Sequence, residues 1–104
     1  MSELARIAAE SVPEGKALRL SGGPDGVCLV RLGERYFAVA DRCSHADVRL
    51  SEGEVDDLEC SIECWKHGST FSLVDGHPQS LPATVAVAVY SVRVEGSDVV
   101  VTDE

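Results

Sequence analysis

The chain has 104 residues, of which 44% are hydrophobic and 5% aromatic, so it is long enough for one folded domain whose core is built from Val, Ala and Leu. Nine Lys and Arg residues are outnumbered by eighteen Asp and Glu residues, which leaves a net charge of −9. Nucleic acids and anionic membranes attract basic proteins. The composition therefore argues against both as partners and favours a protein partner with a basic patch.

The N-terminal segment and the cysteines indicate the compartment. Residues 1–12 include Glu3 and Glu10 and lack the apolar region of a signal peptide. No apolar run of the sequence is long enough for a transmembrane helix. We therefore predict a cytoplasmic protein, in which four cysteines are more often metal ligands or free thiols than disulfides.

Short alternating segments in the first part of the chain are typical of an antiparallel sheet. Residues 3–9 fit either a strand or a helical turn, and residues 16–22 alternate apolar and polar side chains as a half-buried strand does. The Gly-, Pro- and Asp-rich turn at 22–26 leads into apolar strands at 27–32 and 35–40, which a Gly-Glu turn joins.

The middle of the chain is less regular. Residues 41–57 have no clear period and indicate a long loop, residues 58–63 predict a strand, and residues 64–70 indicate a second loop. A short hairpin is predicted at 71–79, with its turn at Asp75 and Gly76.

The end of the chain predicts a closing hairpin. Residues 85–95 and 99–102 are apolar strands, and a Gly-Ser-Asp turn connects them. We find no internal repeat, low-complexity tract or interdomain linker. The sequence therefore predicts an all-β protein in which residues 1–104 form a single domain with two long loops in the middle.

Two Cys–His pairs lie in those two loops. One residue separates Cys43 from His45, two separate Cys64 from His67, and eighteen lie between the pairs. Two Cys and two His can bind a structural zinc ion, although zinc ligands usually come as a Cys pair and a His pair. They can also bind a [2Fe–2S] cluster, with both Cys on one iron and both His on the other, so that each loop supplies one ligand to each iron.

These residues also carry a family resemblance. CSH at 43–45 with CWKHGSTFSLVDG at 64–76 resembles the paired ligand motif of Rieske-type iron–sulfur proteins. The segments at 26–45 and 81–101 resemble that family's approach to the first ligand loop and its closing hairpin. The resemblance implies an antiparallel Rieske-type β-sandwich whose two ligand loops form a cluster-binding part at about 41–79.

The resemblance also implies a ligand set. Cys43 and Cys64 would bind the inner iron of a Rieske-type [2Fe–2S] cluster. His45 and His67 would bind the outer iron through Nδ1 and would keep their Nε2 edges near the surface, where the electron enters and leaves.

Several differences from respiratory Rieske proteins indicate a low potential. Val48 and Lys66 occupy positions at which those proteins have an additional disulfide, and Phe71 replaces a Tyr hydrogen-bond donor. Ser69 keeps a hydroxyl that the resemblance places near a cluster sulfide. Residues 41–63 contain eight carboxylates and two arginines. We therefore expect a potential of roughly −150 to 0 mV.

The remaining candidate residues receive structural interpretations. We predict that Cys28 is a buried thiol, that Cys60 is a passive strand thiol and that His77 is a solvated turn residue. Trp65 is expected either to shield the cluster or to pack under its loop.

The function that follows is electron transfer rather than catalysis. The sequence has no dinucleotide-binding glycine motif and no mononuclear iron triad. The resemblance implies a ferredoxin that carries electrons from a flavoprotein reductase to a terminal Rieske oxygenase, or else a small Rieske protein that supports iron–sulfur cluster assembly. A zinc-stabilised interaction module and a nitrite reductase small subunit, which shares the fold, are the alternatives.

Overall fold

The computed structural model describes residues 3–23, 25–43, 48–66, 68–79 and 85–102. This part of the chain contains nine β-strands and two short 3-10 turns, at Ala9–Ser11 and Leu50–Glu52. The strands are β1 (Glu3–Ala8), β2 (Ala17–Leu20), β3 (Val27–Leu32), β4 (Arg35–Ala40), β5 (Val55–Asp56), β6 (Ser61–Glu63), β7 (Thr70–Ser72), β8 (Val89–Glu95) and β9 (Asp98–Thr102).

The strands form two antiparallel sheets. Six of them make one sheet in the order β1-β9-β8-β4-β3-β2, and the other three make a small sheet in the order β5-β6-β7. The prediction of an all-β antiparallel fold is confirmed. The strands predicted at 27–32 and 35–40 have the predicted bounds and pair along their whole length.

Strand β3 lies between two apolar cores. Cys28, Val30 and Leu32 belong to one core, and Val27 and Leu29 belong to the other, because successive side chains of a strand point to opposite faces. Both faces are thus covered by protein, which explains why β3 is an almost uninterrupted apolar run. The first core contains Cys43 and Cys64, and we call it the cysteine core.

The six-stranded sheet curls until its two outer strands approach each other. Gly22, just after β2, packs so closely on β1 that a Cβ there would lie 2.3 Å from the Leu4 carbonyl oxygen. The positive φ of Gly22, 145°, also favours glycine at this position. The small sheet packs on the outside of this curl, since Ile62 of β6 and Phe71 of β7 are buried in the cysteine core.

In the small sheet, the start of β6 differs from the prediction. The strand expected at 58–63 begins only at Ser61, because the preceding residues form a turn that the Asp56 carboxylate stabilises by accepting hydrogen bonds from the Leu58 and Glu59 amides at 3.0 and 3.2 Å. Cys60 is therefore not a strand residue, and its φ of 52° is left-handed. The predicted hairpin at 71–79 is present, since Phe71 pairs with Pro78.

Two other predicted segments have different extents. The strand predicted at 85–95 begins at Val89. The loop predicted at 41–57 contains a 3-10 turn and the two-residue strand β5, which hydrogen-bonds to β6. Neither element is long enough to produce a sequence period.

The left-handed conformation of Cys60 makes a stability prediction. Cys60→Ala and Cys60→Gly both lose the thiol, but only glycine adopts a φ of 52° without strain. We expect the glycine variant to be the more stable of the two by roughly 0.5–1 kcal/mol in the free energy of unfolding, measured by urea denaturation. Equal stabilities would show that the backbone relaxes at this position.

Candidate iron–sulfur site

Cys43 and Cys64 are both buried at the base of a loop. Their relative exposures are 2% and 0%, and both side chains belong to the cysteine core. Cys43 lies three residues after β4, and Cys64 directly follows β6, so the two sheets bring the two loops together. The structure therefore places the two predicted sulfur ligands in one apolar environment that excludes water.

The two loops are closed in the same way. The Cys43 amide donates to the Val48 carbonyl at 3.0 Å, and the Cys64 amide donates to the Ser69 carbonyl at 2.7 Å. In each loop the bond joins a cysteine to the fifth residue after it. In the second loop the Gly68 amide also donates to the Cys64 carbonyl at 2.9 Å, with Gly68 at a left-handed φ of 78°. In the sequence, one of the predicted histidines lies between the two residues that each bond joins.

The histidines themselves, His45 and His67, lie outside the described residues. Their assignment as ligands remains a prediction. Among the residues that the structure does describe, no group of three or more His, Cys, Asp or Glu side chains is arranged to hold a metal ion. The described part thus contributes only the two sulfurs of the predicted set of four.

The described residues nevertheless fit an iron–sulfur cluster. None of the four cysteines takes part in a disulfide. Soft thiolates on two neighbouring loops, held in apolar surroundings, are the ligands that such clusters use. Ser69, in the second loop, is fully buried, and the place of its hydroxyl near a cluster sulfide stays a prediction.

A buried carboxylate lies next to the first loop. Asp41 is fully buried and accepts hydrogen bonds from the guanidinium of Arg19 and from the amide and hydroxyl of Ser51, each at 2.7 Å. Arg19 belongs to β2, outside residues 41–63. The negative charge of Asp41 is therefore paired with an arginine from outside that segment.

Two contacts join residues 52–53 to the second loop and to the residue that precedes it. Gly53 packs against the backbone just before Cys64, such that a Cβ there would lie 1.7 Å from the Glu63 carbonyl oxygen. The Trp65 indole donates a hydrogen bond to the Glu52 carboxylate at 3.1 Å. Trp65 is 55% exposed, so the prediction that it packs under its loop is wrong.

The other candidate residues have structural roles. Cys28 is fully buried, which confirms its prediction, and burial together with the negative charge of Asp41 raises the pKa of its thiol. Cys60 is half-buried against the cysteine core. His77 is exposed, and its amide donates to the Asp75 carboxylate at 3.0 Å, as expected for a turn residue.

The sequence did not single out Asp41, Ser51 or Gly53. A polar residue directly after a buried strand was the available signal for Asp41, but its partners depend on the pairing of β2 with β3. The role of Gly53 depends on a contact ten residues away in the chain, for which the local sequence gives no pattern.

With the fold and these two loops, the family can be stated. The family model of the Rieske [2Fe-2S] domain matches residues 3–91, and the chain belongs to this family. Its cofactor is a Rieske-type [2Fe–2S] cluster, so the zinc alternative is not supported. The described residues include no helix long and apolar enough to cross a membrane.

Individual relatives narrow the comparison. The chain is 38% identical to the 3-phenylpropionate/cinnamic acid dioxygenase ferredoxin subunit of Shigella boydii serotype 4 (strain Sb227), over 95% of this chain and 92% of that protein. It superimposes on the ferredoxin of carbazole 1,9a-dioxygenase from Nocardioides aromaticivorans IC177 with a TM-score of 0.93 and 27% identity, covering 100% of both chains. A chain in a complex of reduced oxygenase and oxidized ferredoxin in carbazole 1,9a-dioxygenase matches with a TM-score of 0.89 and 34% identity, over 98% of this chain and 94% of that one.

Proposed function

We propose that this protein is the ferredoxin component of an aromatic-ring dioxygenase system. It accepts one electron at a time from a flavoprotein reductase and passes it to a terminal Rieske oxygenase, and it transforms no substrate itself. The observation that carries this proposal is the 38% identity to a dioxygenase ferredoxin subunit over 95% of the chain. The solved complex of an oxygenase with a similar ferredoxin supports an oxygenase as the acceptor.

The proposed ligands are Cys43, His45, Cys64 and His67. The bound cluster would supply a one-electron couple. The chain's own contribution is to keep the sulfur side of the site in the cysteine core, away from water, and to close both loops through the cysteine amides. Neutral imidazoles in place of two thiolates remove negative charge from the site, which makes the addition of an electron easier than in a four-cysteine site.

The proposal includes the organisation of the chain and its compartment. Residues 1–104 form one domain, and the cluster-binding part lies at about 41–79. The three-stranded sheet, with all its strands between Val55 and Ser72, supports this division. Four cysteines without a disulfide are in keeping with the reducing cytoplasm, where we place the protein.

Spectroscopy and a reconstituted electron-transfer chain test the proposal. The purified protein is expected to be red-brown, to give a rhombic EPR signal after reduction and to titrate at roughly −150 to 0 mV. With NADH and the reductase and oxygenase of the 3-phenylpropionate dioxygenase system, it is expected to support product formation. A matched reaction without this protein is the control.

The outcomes separate the parts of the proposal. A protein that carries a single colourless metal ion would refute the cluster itself. A protein that has the cluster and accepts electrons from the reductase, but passes none to any terminal Rieske oxygenase, would refute the dioxygenase assignment and leave the electron carrier. A midpoint above the stated range would refute only the low potential.

A further inference from the structure

Asp41 and Ser51 lie on either side of the first ligand loop and are hydrogen-bonded to each other; we call this pair the neck of the loop. Asp41 comes two residues before Cys43, and Ser51 comes ten residues after Asp41, at the 3-10 turn that follows the loop. The Asp41 carboxylate accepts from the Ser51 amide through Oδ1 and from the Ser51 hydroxyl through Oδ2, both at 2.7 Å. One buried side chain therefore joins the two ends of the segment that carries Cys43 and His45.

The neck is also tied to the large sheet. The Arg19 guanidinium, from β2, donates to Asp41 Oδ2 at 2.7 Å, and the Asp41 amide donates to the Gly26 carbonyl at 3.1 Å. Gly26 leaves space for the arginine, because a Cβ there would lie 2.8 to 2.9 Å from the guanidinium atoms. Arg19 keeps 36% of its side chain exposed, whereas the Asp41 side chain is 0% exposed. The buried charge is thus fully paired and joined to a rigid element.

Such an arrangement is more specific than stability alone requires. A carboxylate is expensive to bury, and an apolar side chain of similar size often stabilises a fold as well or better. The hydrogen bonds that the Asp41 carboxylate accepts are directional, so they also hold the two chain segments in one register. A further bond across this loop runs from the Cys43 amide to the Val48 carbonyl, inside the neck.

We propose that Asp41 is a positioning residue for the cluster, which fixes the neck between residues 41 and 51 and thereby holds Cys43 and His45 in the geometry that binds iron. This inference rests on the proposed ligand set. Ser51 and Arg19 act through Asp41, since both donate hydrogen bonds to its carboxylate. The second loop has its own closing hydrogen bond, from the Cys64 amide to the Ser69 carbonyl.

Variants of Ser51 test the inference with the least disturbance. Ser51→Ala removes the hydroxyl bond but leaves the Asp41–Arg19 ion pair, and Ser51→Thr keeps a hydroxyl at this half-buried position. We expect Ser51→Ala to lose its visible absorbance to an iron chelator about tenfold faster than the wild type, because a hydrogen bond to a charged group is lost. Its EPR line shape is expected to change, and Ser51→Thr is expected to restore both properties.

A control separates positioning from general stability. Val99 is fully buried in the other core, so Val99→Ala destabilises the whole domain without touching either loop. We expect Val99→Ala to keep the wild-type EPR line shape and chelation rate in buffer where both proteins are folded. A chelation rate that follows stability alone, equal in Val99→Ala and Ser51→Ala, would overturn the inference.

Asp41→Asn tests the same hydrogen bonds from the other partner. Asp41→Asn keeps the shape of the side chain, removes the charge that Arg19 pairs with, and is expected to accelerate cluster loss at least as much as Ser51→Ala. Unchanged chelation rates and EPR spectra in both Asp41→Asn and Ser51→Ala would refute the positioning role. If the wild type itself lacks a Rieske EPR signal, the proposed function fails instead.

Discussion

The Cys64→Ser variant is expected to bind no cluster. Cys64 is fully buried at the base of the second loop, and a serine hydroxyl there is a poor ligand for iron and has little access to water that would help it ionise. The purified variant should lack essentially all the iron, the acid-labile sulfide and the visible absorbance of the wild type. Because β3, β4, β8 and β9 pair without help from this loop, far-UV circular dichroism should still show β-structure.

Cys28 supplies the matched control. It is as buried as Cys64 and belongs to the same core, but it lies in the middle of β3. Cys28→Ala is therefore expected to keep the full iron content and to lose only about 1 kcal/mol of stability from the smaller side chain. Iron retained in Cys64→Ser, or lost in Cys28→Ala, would contradict the proposed ligand set.

Replacement of Gly53 by alanine is expected to reduce both the stability of the protein and its iron content. The new Cβ would lie 1.7 Å from the Glu63 carbonyl oxygen and 3.3 Å from the Leu50 carbonyl oxygen, so one backbone segment has to move. Glu63 directly precedes Cys64, and the movement would separate the two loops. We expect a loss of about 3 kcal/mol in the free energy of unfolding and of most of the bound iron.

Gly96→Ala is the control for this change. Gly96 has a φ of 62° in the β8–β9 turn, and a Cβ there would meet no atom within 4 Å. The expected cost is about 1 kcal/mol from backbone strain alone, with full iron content. Urea denaturation and iron analysis of both variants check the prediction. A Gly53→Ala protein that retains wild-type iron would show that the two loops are not held by this contact.

Local patterns were sufficient to predict much of the large sheet. β3 and β4 have the predicted bounds, and the β8–β9 hairpin was correct apart from the starts of β8 at Val89 and of β9 at Asp98. Each of these elements has a continuous or alternating apolar run and a glycine turn. The pairing of β4 with β8 joins residues about fifty positions apart, and no local pattern encodes it.

The contacts that shape the site could not be predicted in the same way. The cysteines were found by their spacing, but the neck at Asp41 depends on Arg19 reaching across from β2. Likewise, the turn before β6 depends on the Asp56 side chain. Its carboxylate accepts hydrogen bonds from the Leu58 and Glu59 amides, and these bonds stabilise a turn where a strand was predicted. Side chains that compensate one buried charge or cap one turn leave no periodic trace in a sequence.

The approach of Gly22 to the Leu4 carbonyl shortens the exposed edge of the large sheet. At unpaired edge strands, copies of a β-protein can pair with one another and aggregate. A curl that brings β1 and the end of β2 together leaves less backbone for such stacking, and the net charge of −9 makes copies repel. A protein with these properties can stay dispersed at high concentration, as a shuttle that must meet and leave two different partners needs to do.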